Sequence, residues 1–174
     1  MKNSAILRNI HVRPLKADEW LLLKEIRLRA LKSDPLMFTM TYEAEVLYAD
    51  EYWQSRPSTS ERQVFGVFDD KKIIGMTAVR IDSEDPTGAT ARFWGSWLEQ
   101  SYRGMGISAD LYAARFEWVK QRSFIKKIVI SHRKSNLSSR KAIERNGFQF
   151  THASDYNWKD GVTEEDCFYE FLLP

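Results

Sequence analysis

Residues 91–131 place the tightest constraint on what this chain can fold into. A run rich in β-formers, Ala91-Arg92-Phe93-Trp94-Gly95-Ser96-Trp97-Leu98, leads into Tyr102-Arg103-Gly104-Met105-Gly106-Ile107-Ser108. A helical pattern then reaches about Arg122, and Lys127-Ile128-Val129-Ile130-Ser131 follows as a buried strand. Ile107, Leu111, Ala114 and Trp118 share one stripe of that helix, the pattern of a helix packed on a sheet. A strand, a covering helix and a second strand in this order predict a right-handed parallel crossover.

The flanking segments read as mostly antiparallel. Ile10 and Val12 alternate with polar residues, and Pro14 limits that first strand. Asp18 is the expected N-cap of a helix running to about Lys32, with Leu23, Ile26 and Ala30 on its buried face and Asp34-Pro35 as its stop. Residues 41–54 form a second, weaker helical region whose apolar side is Tyr42, Leu47 and Trp53, and 57–60 is a loop. The runs 64–68 and 73–79 flank Asp69-Asp70-Lys71 as a hairpin, and 82–88 is a loop. Residues 138–146 make a short helix, Gly147 is its left-handed C-terminal residue, and the strands 148–156 and 166–172 are joined through Asp160-Gly161. The fold class is mixed α/β with a mostly antiparallel sheet, one domain over 10–174 after a short extension, 1–9.

Bulk properties narrow the function classes. A length of 174 residues suits one domain, and a formal net charge of +2 gives no general pull toward nucleic acid or an acidic membrane. Arg133-Lys134, with Arg140 and Lys141 nearby, is a local basic run that reads equally well as a solvated face. The single cysteine, Cys167, excludes an internal disulfide or a Cys-rich zinc site, and His11, His132 and His152 lack metal-ligand spacing. No run approaches the roughly 20 apolar residues of a membrane span, and the start of the chain has no signal-peptide pattern. The expectation is a cytoplasmic protein without a metal.

The loop at 103–108 carries the chemistry. Gly104 and Gly106 permit positive φ and close backbone approach, and the start of the following helix offers N–H groups and a positive dipole end to a phosphate. Arg103 adds charge and Ser108 a hydroxyl. The spacing is not that of a nucleotide P-loop, which needs a Lys-Ser or Lys-Thr after the second glycine. A dinucleotide fingerprint, which tolerates Ala at the place of Ala109, and a glycine turn without ligand both stay open on these residues alone.

In this region the chain resembles the GNAT superfamily of N-acetyltransferases, whose loop reads Arg or Gln, two residues, Gly, one residue, then Gly or Ala. Arg103, Gly106 and Ser108 stand at those places, with Ser108 a small departure. Asn136, Ser139 and Gly147-Phe148 follow with the family's spacing, and Ile26-Arg27-Leu28-Arg29-Ala30-Leu31 with Asp34-Pro35 and Phe38 is similar to the first-helix region of small bacterial members. The resemblance implies a central sheet of six to seven strands flanked by about four helices and splayed at the cofactor site. It implies acetyl-CoA as donor, an amine as acceptor and a possible homodimer. Ser96, Trp97 and Leu98 would meet the pantetheine arm, the backbone near Leu98 would polarise the thioester, and Arg103, Gly104, Met105, Gly106, Ile107 and Ser108 would hold the pyrophosphate. Asn136, with Ser139, would bond the pantetheine or the helix end.

The family's usual proton-transfer groups are missing: Ile143 stands where a Tyr acid is common, and Arg92 near the place of a Glu base. Glu84, Glu99, Tyr102 and Tyr156 are the substitutes in view, and a non-catalytic acyl-CoA-binding domain is the alternative. Strand alternation puts Trp94 and Trp97 on opposite faces, one toward the core and the other toward the helices or the acceptor cleft. Cys167 is expected in the core.

Overall fold

The computed structural model describes residues 9–174; of the expected extension 1–9, all but Asn9 lies outside the described residues. The strands are β1 (Ile10–Pro14), β2 (Ser58–Thr59), β3 (Arg62–Asp69), β4 (Lys72–Ile81), β5 (Thr90–Leu98), β6 (Lys127–Arg133), β7 (Gln149–Asn157) and β8 (Thr163–Leu172). The α-helices are α1 (Trp20–Ser33), α2 (Tyr42–Glu45), α3 (Asp50–Gln54), α4 (Ser108–Lys120) and α5 (Leu137–Arg145). One sheet holds all the strands in the order β1-β3-β4-β5-β6-β8-β7, with β2 paired to β3. Every pairing is antiparallel except β5 with β6, as the 91–131 unit predicts.

Two apolar layers sandwich the sheet. On one face α1 and α3 bury Leu23, Ile26, Ala30 and Trp53 against Val64, Ile73, Met76, Ala78 and Trp97. On the other, α4 and α5 bury Tyr112, Trp118, Val119 and Ile143 against Phe93, Ile128, Ile130 and Tyr169. Ile107 and Leu111 seal the start of α4 against Val67, Ile74 and Tyr102. Cys167 is a buried free thiol in the α4 layer, and burial pushes its pKa up, with Glu165 and Asp166 adding to the rise.

Several local expectations change. Glu19, not Asp18, occupies the N-cap position of α1 and makes no side-chain cap bond. Its carboxylate instead takes both arms of the Arg13 guanidinium at 2.7 and 2.8 Å and the Lys16 N–H. The 41–54 region is two short helices. The Thr41 hydroxyl caps α2, whose Glu45 is buried against Arg27 of α1, and the chain must break helix after Val46 to bring Trp53 into the same layer. Leu47, expected on the apolar side, is 83% exposed in that break. The 57–60 loop contains the small β2, and β8 starts at Thr163 rather than at 166. The hairpin between β3 and β4 turns through Asp70 at φ 51°. Among the described residues the sheet thus has eight strands, with five α-helices.

Candidate cofactor and acceptor site

The parallel pair opens as it runs. β5 and β6 pair only through Thr90–Lys127, Ala91–Ile128 and Arg92–Val129. Beyond Arg92 the two strands separate, so the β6-facing edge of residues 93–98 presents backbone groups to a gap rather than to a neighbour. Such an edge is a template for an added strand-like ligand. Because the two strands are parallel, both end at the same rim of the sheet, and the starts of α4 and α5 lie at that rim.

The loop entering α4 is built as its sequence predicts. After a short 3-10 turn, Gly104 and Gly106 have φ +76° and +84°, and a Cβ built on either would have nothing within 4 Å. The N–H groups of Gly104, Gly106, Ile107 and Ser108 find no backbone acceptor among the described residues, and α4 has no side-chain cap. The side chain of Ile107 is buried and anchors the loop, whereas Met105 is 49% exposed. Uncommitted amides at a positive dipole end favour an anion.

The Arg103 side chain is directed elsewhere. Its Nε donates to the Leu98 carbonyl at 2.9 Å, and its Nη atoms meet both oxygens of Asp34 at 3.2 and 2.5 Å. Asp34 also accepts from Trp97 Nε1 at 2.7 Å. Burial alone would raise the Asp34 carboxyl, but the bonds from Arg103 and Trp97 and the guanidinium charge hold it below the usual aspartate range. The end of α1 is thereby tied to the end of β5 and to the loop. In the sequence Asp34 reads as a helix stop and as part of the first-helix resemblance, and nothing local signals a partner 69 positions away.

Trp94 and Trp97 do not alternate. The register pairs Met76 with Trp97 and Ala78 with Trp94, so Gly95 and Ser96 together oppose Thr77 in a β-bulge. Gly95 has φ +66°. The extra residue returns both indoles to the α1 face, where both pack in the same layer. Ser96 is exposed, and its hydroxyl lies 2.7 Å from that of Thr77. At the other rim, Asn136 Oδ1 accepts from the Ser139 N–H at 3.1 Å, so this pair caps α5.

The proton-transfer candidates already have partners. Glu84 is exposed and accepts from Arg92, which also meets Asp82. Glu99 accepts from Arg29 through one oxygen and from Lys72 through the other. Tyr102 is buried and donates to Asp69 at 2.7 Å, and Tyr156 packs on Trp158. Ile143 is fully buried. Of the basic run, Arg133 is buried between Asp160 and Glu164 and also donates to the Leu36 carbonyl, while Lys134 pairs with Glu165 and Arg140 with Glu144. Among the described residues no group of His, Cys, Asp or Glu gathers to hold a metal, and no helix is long and apolar enough to cross a membrane.

Known proteins match this architecture. A structure of a GNAT-family acetyltransferase from Streptococcus pneumoniae superposes with a TM-score of 0.79 at 12% identity, covering 95% of this chain and 100% of that one. The ribosomal L7/L12 alpha-N-protein acetyltransferase RimL, in complex with coenzyme A, gives 0.72 at 18% identity with 94% of each chain covered. Arabidopsis thaliana NAA60 with a bisubstrate analogue gives 0.72 at 12% identity, covering 94% and 98%. None of the curated protein sequences compared with the chain matches it significantly. The model of the acetyltransferase (GNAT) family matches residues 27–148, which includes the second half of α1, the open strand pair, the glycine loop and all of α5. The chain belongs to the acetyltransferase (GNAT) family.

Proposed function

We propose that the protein is a cytoplasmic N-acetyltransferase that moves the acetyl group of acetyl-CoA directly to an amine. The observation that carries this reading is the opening of β5 from β6 beside a helix start whose amides are uncommitted. The amides of Gly104, Gly106, Ile107 and Ser108 would take the pyrophosphate, and the free edge of residues 93–98 would take the pantetheine arm as an added strand. The bound thioester supplies the activated acetyl group. The backbone N–H groups near Leu98 would polarise its carbonyl, and holding amine and thioester in contact would supply much of the rate. Arg103, locked on Asp34 and Leu98, would brace the loop rather than contact phosphate, and Asn136 would act by holding the first turn of α5. RimL acts on a protein α-amino group, which makes peptide N-termini the first acceptors to try.

The engaged state of Glu84, Glu99 and Tyr102 favours one second reading, a domain that binds acyl-CoA without turnover. One experiment separates the two. Acetyl-CoA binding is read by thermal shift, and CoA release is read over a short peptide with a free N-terminus, lysine, spermidine and an aminoglycoside. Binding with release supports the transferase, binding without release the sensor, and the lack of any shift at millimolar acetyl-CoA overturns both.

A further inference from the structure

Most of the carboxylates around the open strand pair are held by cations. Asp82 and Glu84 hold Arg92, Asp34 holds Arg103, Glu99 holds Arg29 and Lys72, and Asp160 and Glu164 hold Arg133. Asp166 of β8 has no ion-pair partner among the described residues. Its Oδ2 accepts from the Ser131 hydroxyl of β6 at 3.1 Å, and its Oδ1 is buried without any donor.

The register places this pair beside the gap. Val129 is the last residue of β6 paired to β5, opposite Arg92. Ser131 is the next residue on the same face of β6, and Trp94 the next on β5. They stand on either side of the opening, on the face away from the α4 layer, and Trp94 Nε1 is likewise buried without a partner. Asp166 shares that face, since its neighbour Cys167 enters the α4 layer. Ser131 and Asp166 are both partly buried, but Asp166 Oδ1 is sealed from solvent, which leaves Ser131 as the end of the pair to present to a substrate.

We propose that Ser131 and Asp166 are a proton relay for acetyl transfer, Ser131 as the catalytic residue and Asp166 as the group behind it that holds the proton. This rests on the transferase reading above. As the amine nitrogen bonds to the acetyl carbon and the carbon–sulfur bond breaks, the amine proton passes to Ser131 Oγ while the Ser131 proton passes to Asp166 Oδ2. The reverse transfer delivers that proton to the departing CoA thiolate, so protons and charge balance without another reactant. Burial raises the Asp166 carboxyl above the usual aspartate range, against the Ser131 hydrogen bond and the charges of His132, Arg92 and His152. The other groups around it are committed: Arg92 of β5 to Asp82 and Glu84, Arg133 of β6 to Asp160 and to Glu164 of β8, and the ring of His132 to the Arg133 carbonyl and the Tyr169 hydroxyl. His152 of β7 stacks on Phe168.

The test uses Asp166→Asn, which keeps an acceptor for Ser131 but cannot take a proton, together with Ser131→Ala and Ser131→Thr. With the best amine of the panel, Asp166→Asn and Ser131→Ala should each lose about 100-fold in kcat, with KM for acetyl-CoA within about twofold of wild type. Asp166→Asn should also lose the acidic limb of the kcat–pH profile, and Ser131→Thr should retain activity. Independently of turnover, carboxyl NMR of the free protein should show Asp166 titrating above the ordinary aspartate value of about 3.9. Wild-type kcat and pH profile in Asp166→Asn or Ser131→Ala, or a titration at or below the ordinary value, would overturn the relay alone. A wild-type protein that binds acetyl-CoA yet releases no CoA with any amine overturns the transferase reading, and the relay with it.

Discussion

Replacing Gly106 by Glu probes the phosphate loop with little damage elsewhere. The backbone there has φ +84°, so any L-residue costs about 1–2 kcal/mol, within a typical stability of about 5–15 kcal/mol. Nothing lies within 4 Å of the new Cβ, so no packing term is added. The carboxylate would sit among the amides assigned to the pyrophosphate. Two unit charges 4 Å apart repel by about 1 kcal/mol even at the dielectric constant of water. A doubly charged pyrophosphate therefore loses at least about 2 kcal/mol, or about 30-fold in affinity. Thermal shift reads the difference. At 100 times the wild-type Kd, acetyl-CoA stabilises wild type by about 2.7 kcal/mol, or about 5–11 °C for a chain of this size. At the same concentration the variant should gain under about 1 kcal/mol, roughly 2–4 °C. Gly106→Ala carries the backbone cost without the charge and separates strain from repulsion. An equal ligand-induced shift in Gly106→Glu and wild type would refute the assignment of the loop.

Three further outcomes follow from single contacts. Glu45→Gln leaves the buried Arg27 guanidinium without its counter-charge and should destabilise by about 3 kcal/mol or more in urea unfolding; a loss under about 1 kcal/mol would mean that water reaches Arg27. Asn136→Ala removes the cap of α5 and should cost about 1 kcal/mol in stability while leaving acetyl-CoA affinity unchanged, as titration calorimetry would show. The hydrogen bond from Arg13 holds the Glu19 carboxyl at about 2 rather than 4.5. Its contribution is therefore complete above about pH 4.5 and is lost as pH falls toward 2. The pair is partly exposed, with side chains 36% and 22% accessible, so solvent screening limits its worth to about 1 kcal/mol. Glu19→Gln should lower Tm slightly at pH 7 and by nothing near pH 2, and an equal loss at both would refute the ion pair as the cause.

Features legible in the sequence were those governed by neighbours along the chain. The helical stripe Ile107, Leu111, Ala114 and Trp118 needs only a 3.6-residue period, and the positive φ of Gly104, Gly106 and Gly147 needs only the absence of a side chain. The parallel pairing of β5 and β6 follows from a helix too long to be a hairpin turn. The contacts that shape the site are different in kind. Arg103 reads naturally as a phosphate ligand because it stands in a phosphate-type loop, yet its geometry is decided by Asp34 at the far end of α1. The second helical region is likewise divided between distant partners, with Glu45 held by Arg27 and Trp53 packed in the α1 layer.

The two indoles of β5 show how one residue redirects a site. A period of two sends positions 94 and 97 to opposite faces, and it fails here because Gly95 and Ser96 share one position opposite Thr77. The signal is visible in the sequence: a glycine inside a strand marks a bulge or a close approach. The consequence reaches the chemistry. Without the bulge Trp97 would leave the α1 face, its Nε1 could not reach Asp34, and the hold on Arg103 would lose one of its two anchors on β5. The bulge also falls where β5 has already parted from β6, so no neighbour on that side resists the kink. The irregular residue, the open edge and the anchored loop are thus one structural device, set in the strand assigned to the cofactor.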